Sequence, residues 1–182
     1  MQILAGKYKG KRLQAGNDLS IRPLTNRLKE NIFNILYKFV TGAVTLDLFS
    51  GSGSFGLEAL SRGASRVDFV EISRRATEYL KSNIEKLNLG PGCYRIYQAD
   101  VFRFLEQPQQ SYDLILMDPP FKFQYLQELT DMITGTDLLR SAGILVIHHE
   151  ITNPLVPASA AYQIADQRRY GRSLISFIRC GE

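Results

Sequence analysis

The chain has 182 residues, 45% of them hydrophobic and 22% charged, with a net charge of +4. That length predicts one domain, or one domain with a small appendage, and the composition is that of a globular protein with a sizeable core. No apolar run approaches the roughly 18 residues of a membrane span, the N-terminus has no apolar signal segment, and Cys93 and Cys180 form neither a Cys-x-x-Cys pair nor a zinc spacing. These features predict a reduced, cytoplasmic protein.

The first 29 residues carry Lys7, Lys9, Lys11, Arg12, Arg22, Arg27 and Lys29 against Asp18 alone, a net of +6 that leaves −2 for the remainder. A compact basic patch on a near-neutral body is an electrostatic footprint for nucleic acid. Tyr8, Leu13 and Ile21, with Gly6, Gly10 and Gly16 at turns, predict an ordered element: a β-ribbon over residues 3–13 with lysines projecting from it. Residues 21–27 form a loop, because Pro23 forces Arg22 out of the helical region. Thr25 or Asn26 then caps a helix reaching about Phe39. Leu28, Ile32, Phe33, Ile35, Leu36 and Phe39 give that helix an apolar face for core packing.

From residue 44 the pattern alternates. Strands are expected at 44–49, 66–71, 94–99, 112–117 and 143–148. Helices are expected at 55–62, 74–87, 101–105 and 125–133. Residues 162–169 and 174–179 close the chain as two further strands around Tyr170-Gly171-Arg172. Leu114-Ile115-Leu116 suits a strand buried on both faces. Alternating strands and helices imply a doubly wound parallel sheet. The terminal strand pair makes it resemble the Rossmann-like seven-stranded sheet of S-adenosylmethionine-dependent methyltransferases more than a nicotinamide domain.

The stretch from Val44 to Gly56 is the organising unit. It predicts a buried strand, a tight turn through Gly51 and Gly53, and a helix that Gly56 lets pack on the strand. Gly51-x-Gly53-x-x-Gly56, with Glu71 about 20 residues on, also fits the dinucleotide fingerprint. A structural turn without ligand is the plainer reading of such glycines. A phosphate-loop enzyme is disfavoured, because no Lys follows Gly56. Asp47 is the anomaly, a carboxylate inside an apolar strand that needs a partner; a cofactor across the strand ends would supply one.

Asp47, Glu71, Asp100 and Asp118 fall at or near the carboxyl ends of successive strands. Acids favour such positions anyway, but a row of four suits a nucleoside with several donors. Glu71 can accept from ribose hydroxyls, and Asp100 from an adenine amine with the Val101 amide on a ring nitrogen. Ile72 can lie against the adenine face, and Asp47 can hold the methionine amino group. Ser50, Gly51 and Gly53 leave room for the methionine arm.

Asp118-Pro119-Pro120-Phe121 is the most specific motif. Paired prolines at a strand end can be a stiff turn only. The combination also suits methylation of an exocyclic base amine, whose lone pair is delocalised into the ring. Asp118 and the Pro119 carbonyl can accept the two amine hydrogens. Pro119 and Pro120 hold that carbonyl rigidly, and Phe121 can stack on an extruded base, a contact of about 1–3 kcal/mol.

Asp118–Phe121 resembles the Asp/Asn-Pro-Pro-aromatic motif of amino-methyltransferases, and Asp47–Gly53, Phe49 included, resembles their cofactor loop. Residues 22–27 with Phe33-Asn34, residues 56–64, and the N-terminal run Gly6–Leu13 resemble the bacterial 16S rRNA guanine-N2 methyltransferase family over nearly the whole chain. In that family's pattern Leu24 and Asn26 replace a Thr and an Asp, and Ser50 and Ser54-Phe55 replace Ala and Ala-Leu.

The resemblance implies an N-terminal basic β-hairpin over 1–20 and a methyltransferase domain over 21–182. It implies S-adenosyl-L-methionine as cofactor and N2 of one guanine in 16S rRNA, in the assembled or assembling small subunit, as target. Lys7, Lys9, Lys11, Arg12, Arg22, Thr25 and Arg27 would meet RNA. A monomer without metal is expected. His148 and His149, near the end of the fifth strand, are expected to be satisfied polar residues without a catalytic role. Two other readings stay open at this point: a nicotinamide-dependent reductase, and a catalytically silent RNA-binding module.

Overall fold

The computed structural model describes residues 1–15, 25–108, 110–156 and 162–180. Helices α1 (Asn26–Ile35) and α2 (Tyr37–Val40) precede the alternating unit β1 (Val44–Leu48), α3 (Ser54–Ser61), β2 (Arg66–Val70), α4 (Arg74–Lys86), β3 (Tyr94–Tyr97), α5 (Val101–Glu106), β4 (Tyr112–Met117), α6 (Leu126–Thr134) and β5 (Leu139–Glu150). β6 (Tyr162–Tyr170) and β7 (Ser173–Cys180) follow. One seven-stranded sheet runs β3-β2-β1-β4-β5-β7-β6. The first five strands are parallel, and β7 enters antiparallel between β5 and β6. This is the expected α/β architecture.

The sheet separates two apolar layers. In β4, Leu114 and Leu116 join the layer containing α1, α3 and α4, while Ile115 and Met117 join the layer containing α5 and α6. Successive side chains of a strand point to opposite faces, so a continuous apolar run is what a centrally placed strand requires. Leu46 and Leu48 of β1 face the α5–α6 layer. Asp47 therefore faces α3.

Local chemistry sets the helix starts. The Thr25 hydroxyl accepts the Leu28 amide at 3.2 Å, Ser73 accepts Ala76 at 3.3 Å, and Asp100 accepts Phe102 at 3.0 Å and Arg103 at 3.3 Å. Each satisfies a first-turn donor that has no partner within its helix.

Several expectations need correction. The helix expected to reach Phe39 breaks at Leu36, and Ile35 and Phe39 are 37% and 38% exposed rather than core. Phe49 is not in β1; it turns out of the strand with φ of 57°. β5 begins earlier and ends later than expected, with a register irregularity opposite Tyr112–Leu114. The N-terminal ribbon is no regular ladder. One bridge pair, Gln2 with Arg12, is joined by backbone bonds between Ile3 and Lys11, Gly10 and Ile3, and Leu13 and Met1.

Lys29 is not part of the surface charge. It is buried, lies 3.3 Å from Glu58, and donates to the Gln2 carbonyl at 2.8 Å. Arg22 and residues 16–20 lie outside the described residues.

Candidate active site

The site forms where β1, β2, β3 and β4 end. Asp47 is 1% exposed, and its Oδ2 accepts the Gly56 amide at 2.8 Å. A cofactor was the expected partner of this strand carboxylate; the structure supplies an amide of the protein's own α3. Burial pushes the Asp47 carboxyl up to about 8, against the stabilising Gly56 amide; Asp118 and then Glu71 push it further in the same direction. The first four N–H groups of a helix lack intrahelical acceptors, which is why an acid can be seated beneath α3.

A side chain at Gly56 would meet Phe69, Val67 and Asp47, and one at Gly53, where φ is +89°, would meet Leu80 and Leu57. At Gly51, φ is +54° and nothing lies within 4 Å of where a Cβ would stand. Glu71 binds the loop from the next strand. Its Oε2 accepts the Gly51 amide at 2.8 Å and its Oε1 the Ser73 amide at 2.7 Å. A carboxylate oxygen has two acceptor directions, so each can accept one further donor. Ile72, immediately after Glu71, is 65% exposed. Asp100 uses Oδ1 to cap α5, and Val101 opens that helix.

Asp118 follows β4, Pro119 is buried, Pro120 is exposed and Phe121 is half-buried. The Pro120 carbonyl accepts the Phe123 amide at 2.8 Å in the turn. Asp118 Oδ1 lies 2.7 Å from His148 Nδ1, and the Phe121 ring meets the same imidazole edge-on with centroids 5.4 Å apart. Register explains the pairing: Met117 sits beside Ile147, so the next residues of β4 and β5 are neighbours.

Beyond the motif, Phe123 contacts Phe49, Phe102 and Tyr125 at centroid distances of 5.1, 6.3 and 6.0 Å. His149 holds this wall from behind. Its Nδ1 meets the Asn153 carbonyl at 2.9 Å and its Nε2 the Ser176 hydroxyl at 2.8 Å, and Asn153 Nδ2 donates to the Phe123 carbonyl at 2.8 Å. Burial pushes the His149 imidazole below its ordinary value.

The structure therefore gathers Asp47, Phe49, Ser50, Gly51, Gly53, Glu71, Ile72, Asp100, Val101 and Asp118–Phe121 along one end of the sheet. Lys7, Lys9, Lys11, Arg12, Thr25 and Arg27 are exposed. A surface cavity of about 290 Å³ borders that region, lined in part by Lys7, Tyr8, Asn88 and Cys93; it includes none of the four acids.

Sequence reasoning missed His148 as the partner of Asp118 and missed Phe102, Phe123 and Tyr125. The alternation Phe121-x-Phe123-x-Tyr125 was the available signal for the aromatic wall.

S-adenosyl-L-methionine fits these residues. It carries a sulfonium and an amino group, and the crevice offers acids whose mutual repulsion a cation relieves. Ser50 Oγ is buried with no hydrogen-bond partner among the described residues. Gly51 leaves open space, and Ile72 offers an exposed apolar face. A nicotinamide reductase leaves Asp118–Phe121 without a task.

The sheet order, the antiparallel β7 and the acid-lined strand ends are those of an S-adenosylmethionine-dependent α/β methyltransferase. The chain belongs to the family described as Conserved hypothetical protein 95, which matches residues 1–179. It is 32% identical to ribosomal RNA small subunit methyltransferase D of Haemophilus influenzae, over 86% of this chain and 82% of that one. It is 31% identical to the protein of the same name from Escherichia coli K12, over 87% and 80%. A solved Escherichia coli structure assigned as a methyltransferase superposes with a TM-score of 0.89 at 26% identity, covering 100% of this chain and 98% of that chain. No helix among the described residues is long and apolar enough to cross a membrane.

Proposed function

We propose that this protein methylates the exocyclic N2 amine of a guanine in 16S rRNA. Its coarser activity, S-adenosylmethionine-dependent methylation of small-subunit rRNA, is that of the relatives named above. The observation that carries the finer reading is Asp118-Pro119-Pro120-Phe121 placed directly after the central strand β4, beside the acid-lined end of the sheet.

When bound, the cofactor supplies an electrophilic sulfonium methyl. The protein's task is to place and polarise the amine. Asp118 accepts one amine hydrogen and the Pro119 carbonyl the other, since the Pro120 carbonyl already serves the turn. This draws nitrogen toward tetrahedral geometry and frees its lone pair to form the N–C bond; the sulfonium S–CH3 bond would break with its electron pair left on sulfur as the neutral thioether S-adenosylhomocysteine, and the nitrogen would lose one proton to solvent. Phe121 stacks on the base, which must leave its helix to arrive there. Glu71, Ile72, Asp100 and Val101 receive the nucleoside; Asp47, Phe49, Ser50, Gly51 and Gly53 receive the methionine arm.

Residues 1–20 serve as the RNA-docking extension of a 21–182 catalytic domain, with Lys7, Lys9, Lys11, Arg12, Arg22, Thr25 and Arg27 toward RNA. The protein acts in the cytoplasm as a monomer, on an assembled or assembling subunit, and needs no metal because the sulfonium is already electrophilic.

The test is transfer of labelled methyl to small-subunit particles from cells lacking the protein, followed by mapping of the modified atom. Asp118→Ala should lower the single-turnover rate by roughly 100-fold or more with little change in cofactor affinity. Label on any atom other than guanine N2 would overturn the reading, as would an Asp118→Ala enzyme within a few-fold of wild type.

A further inference from the structure

The sequence assigned His148 no role beyond that of a satisfied strand-end residue. The structure sets it behind the reacting group. His148 is buried, and its Nδ1 lies 2.7 Å from Asp118 Oδ1. Its Nε2 is also buried, with no hydrogen-bond partner among the described residues. The tautomer with the proton on Nδ1 satisfies the carboxylate and leaves only a lone pair unmatched at Nε2. The alternative would bury a bare N–H, the rarer and costlier situation. Nδ1–H is therefore the donor and Asp118 Oδ1 the acceptor.

We propose that His148 is the positioning residue for Asp118: its Nδ1–H occupies Oδ1, fixes the carboxylate rotamer, and leaves Oδ2 as the oxygen presented to the target amine. This rests on the reading of Asp118 as the group that accepts from guanine N2.

Three observations support it. The Asp118 side chain is 28% exposed and the His148 side chain 4%, so one oxygen of the acid can be anchored inward while the other meets the crevice. The anchor is rigid, because His148 stands within a twelve-residue strand, paired with Ile175 of β7 on the side away from β4. The same imidazole also meets Phe121 edge-on at 5.4 Å, so one side chain fixes both the acid and the ring of the motif. Freely rotating, Asp118 would align with the amine only part of the time, and misplacement of a reacting or orienting group is costly in rate.

Two substitutions separate the donor from the bulk. His148→Phe keeps a ring against Phe121 and removes Nδ1–H. His148→Asn offers a side-chain N–H close to where Nδ1 stands. Single-turnover methyl transfer to small-subunit particles, both substrates saturating, should fall by about 10- to 100-fold in His148→Phe, the worth of one charge-assisted hydrogen bond. Cofactor affinity and melting temperature should stay near wild type. His148→Asn should recover most of the lost rate.

In ¹⁵N spectra of the imidazole, wild type should carry its proton on Nδ1, and Asp118→Ala should shift that signal. Wild-type rate in His148→Phe overturns the proposal. So does a His148→Asn enzyme as slow as His148→Phe, or a wild-type imidazole protonated on Nε2 alone. If the wild-type protein methylates no guanine amine in the particles, the substrate reading fails separately, and the ¹⁵N spectra still decide whether His148 grips Asp118.

Discussion

Asp47 and Gly56 are locked together: the carboxylate oxygen that accepts the Gly56 amide at 2.8 Å would stand 2.9 Å from a Cβ at that glycine. The same Cβ would stand 2.3 Å from Phe69 Cε1 and 2.8 Å from Val67 Cγ1. Gly56→Ala therefore cannot be absorbed by one flexible side chain, and α3 must lift off β1 and β2. Overpacking of this kind costs about 1–3 kcal/mol, or roughly 2–12 °C in melting temperature for a domain of this size. Cofactor affinity should fall with it, because the loop from Ser50 to Gly53 moves with the helix start. Scanning calorimetry and a cofactor titration check both effects. An unchanged melting temperature would mean that α3 is seated more loosely than the contacts imply.

The protonation of Asp47 gives a second, pH-dependent signature. Its carboxyl is pushed up to about 8 from an ordinary 3.8, chiefly by burial. Between those values the folded chain holds a proton that the unfolded chain has released. Stability from this group is full at low pH and is lost as pH rises through about 8. Asp47→Asn keeps an acceptor for Gly56 and should flatten that decline. If Asp47 receives the cofactor's amino group, binding favours the carboxylate and releases close to one proton at pH 7. Titration calorimetry in buffers of different ionisation enthalpy reads that number. Equal proton release by wild type and Asp47→Asn would remove Asp47 from this role.

What the sequence disclosed follows the range of the interactions. Leu114–Met117 was legible because the part of a strand buried on both faces must be apolar. Asp118–Phe121 was legible because strand end, acid, prolines and ring are adjacent in the chain. His148 was not, since it lies 30 residues from Asp118 and only the register of β4 and β5 makes them neighbours. Glu58 and Lys29 were hidden by the same separation and by their charge. Charged residues on helices ordinarily face water, and nothing local says that these two face each other. Ile35 and Phe39 kept helical spacing, but Ile35 ends α1 and Phe39 lies beyond the break at Leu36, and both reach the surface.

Glu58 is the latch that holds the N-terminal ribbon. It is fully buried and accepts the Leu4 and Ala5 amides at 2.9 and 3.1 Å while pairing with Lys29 and Arg62. Burial holds Lys29 below its ordinary value, opposed by Glu58. Glu58→Gln leaves the Lys29 ammonium buried without its counter-charge. Removing one member of a buried pair costs about 3–5 kcal/mol. Amide exchange at Leu4 and Ala5 should accelerate well beyond the global loss. Exchange there that tracks global unfolding alone would show that the ribbon is held by Ile3 and Leu13 in the core, not by the latch.

The ribbon is fastened by its backbone, and its lysines reach solvent. The Lys7 amide donates to the Ser61 carbonyl at 2.7 Å and the Tyr8 amide to the Ser61 hydroxyl at 3.0 Å, while Lys7, Lys9 and Lys11 are exposed. A Cβ at Gly6 would stand 1.8 Å from the Ser61 carbonyl oxygen, so only glycine lets the ribbon approach this closely. Among the described residues no hydrogen bond or ion pair of the Lys7, Lys9 or Lys11 side chains is part of that attachment; Lys7 Nζ lies 5.3 Å from the centroid of the Tyr8 ring, within the ribbon. Lys7→Ala, Lys9→Ala and Lys11→Ala combined should leave melting temperature and cofactor affinity unchanged. Affinity for small-subunit rRNA should weaken, and the slope of log K against log salt should become shallower by about 0.7–0.9 for each lysine that meets a phosphate, since fewer counterions are released. A triple variant with the wild-type salt slope would mean that the ribbon does not touch RNA and that docking lies elsewhere on the chain.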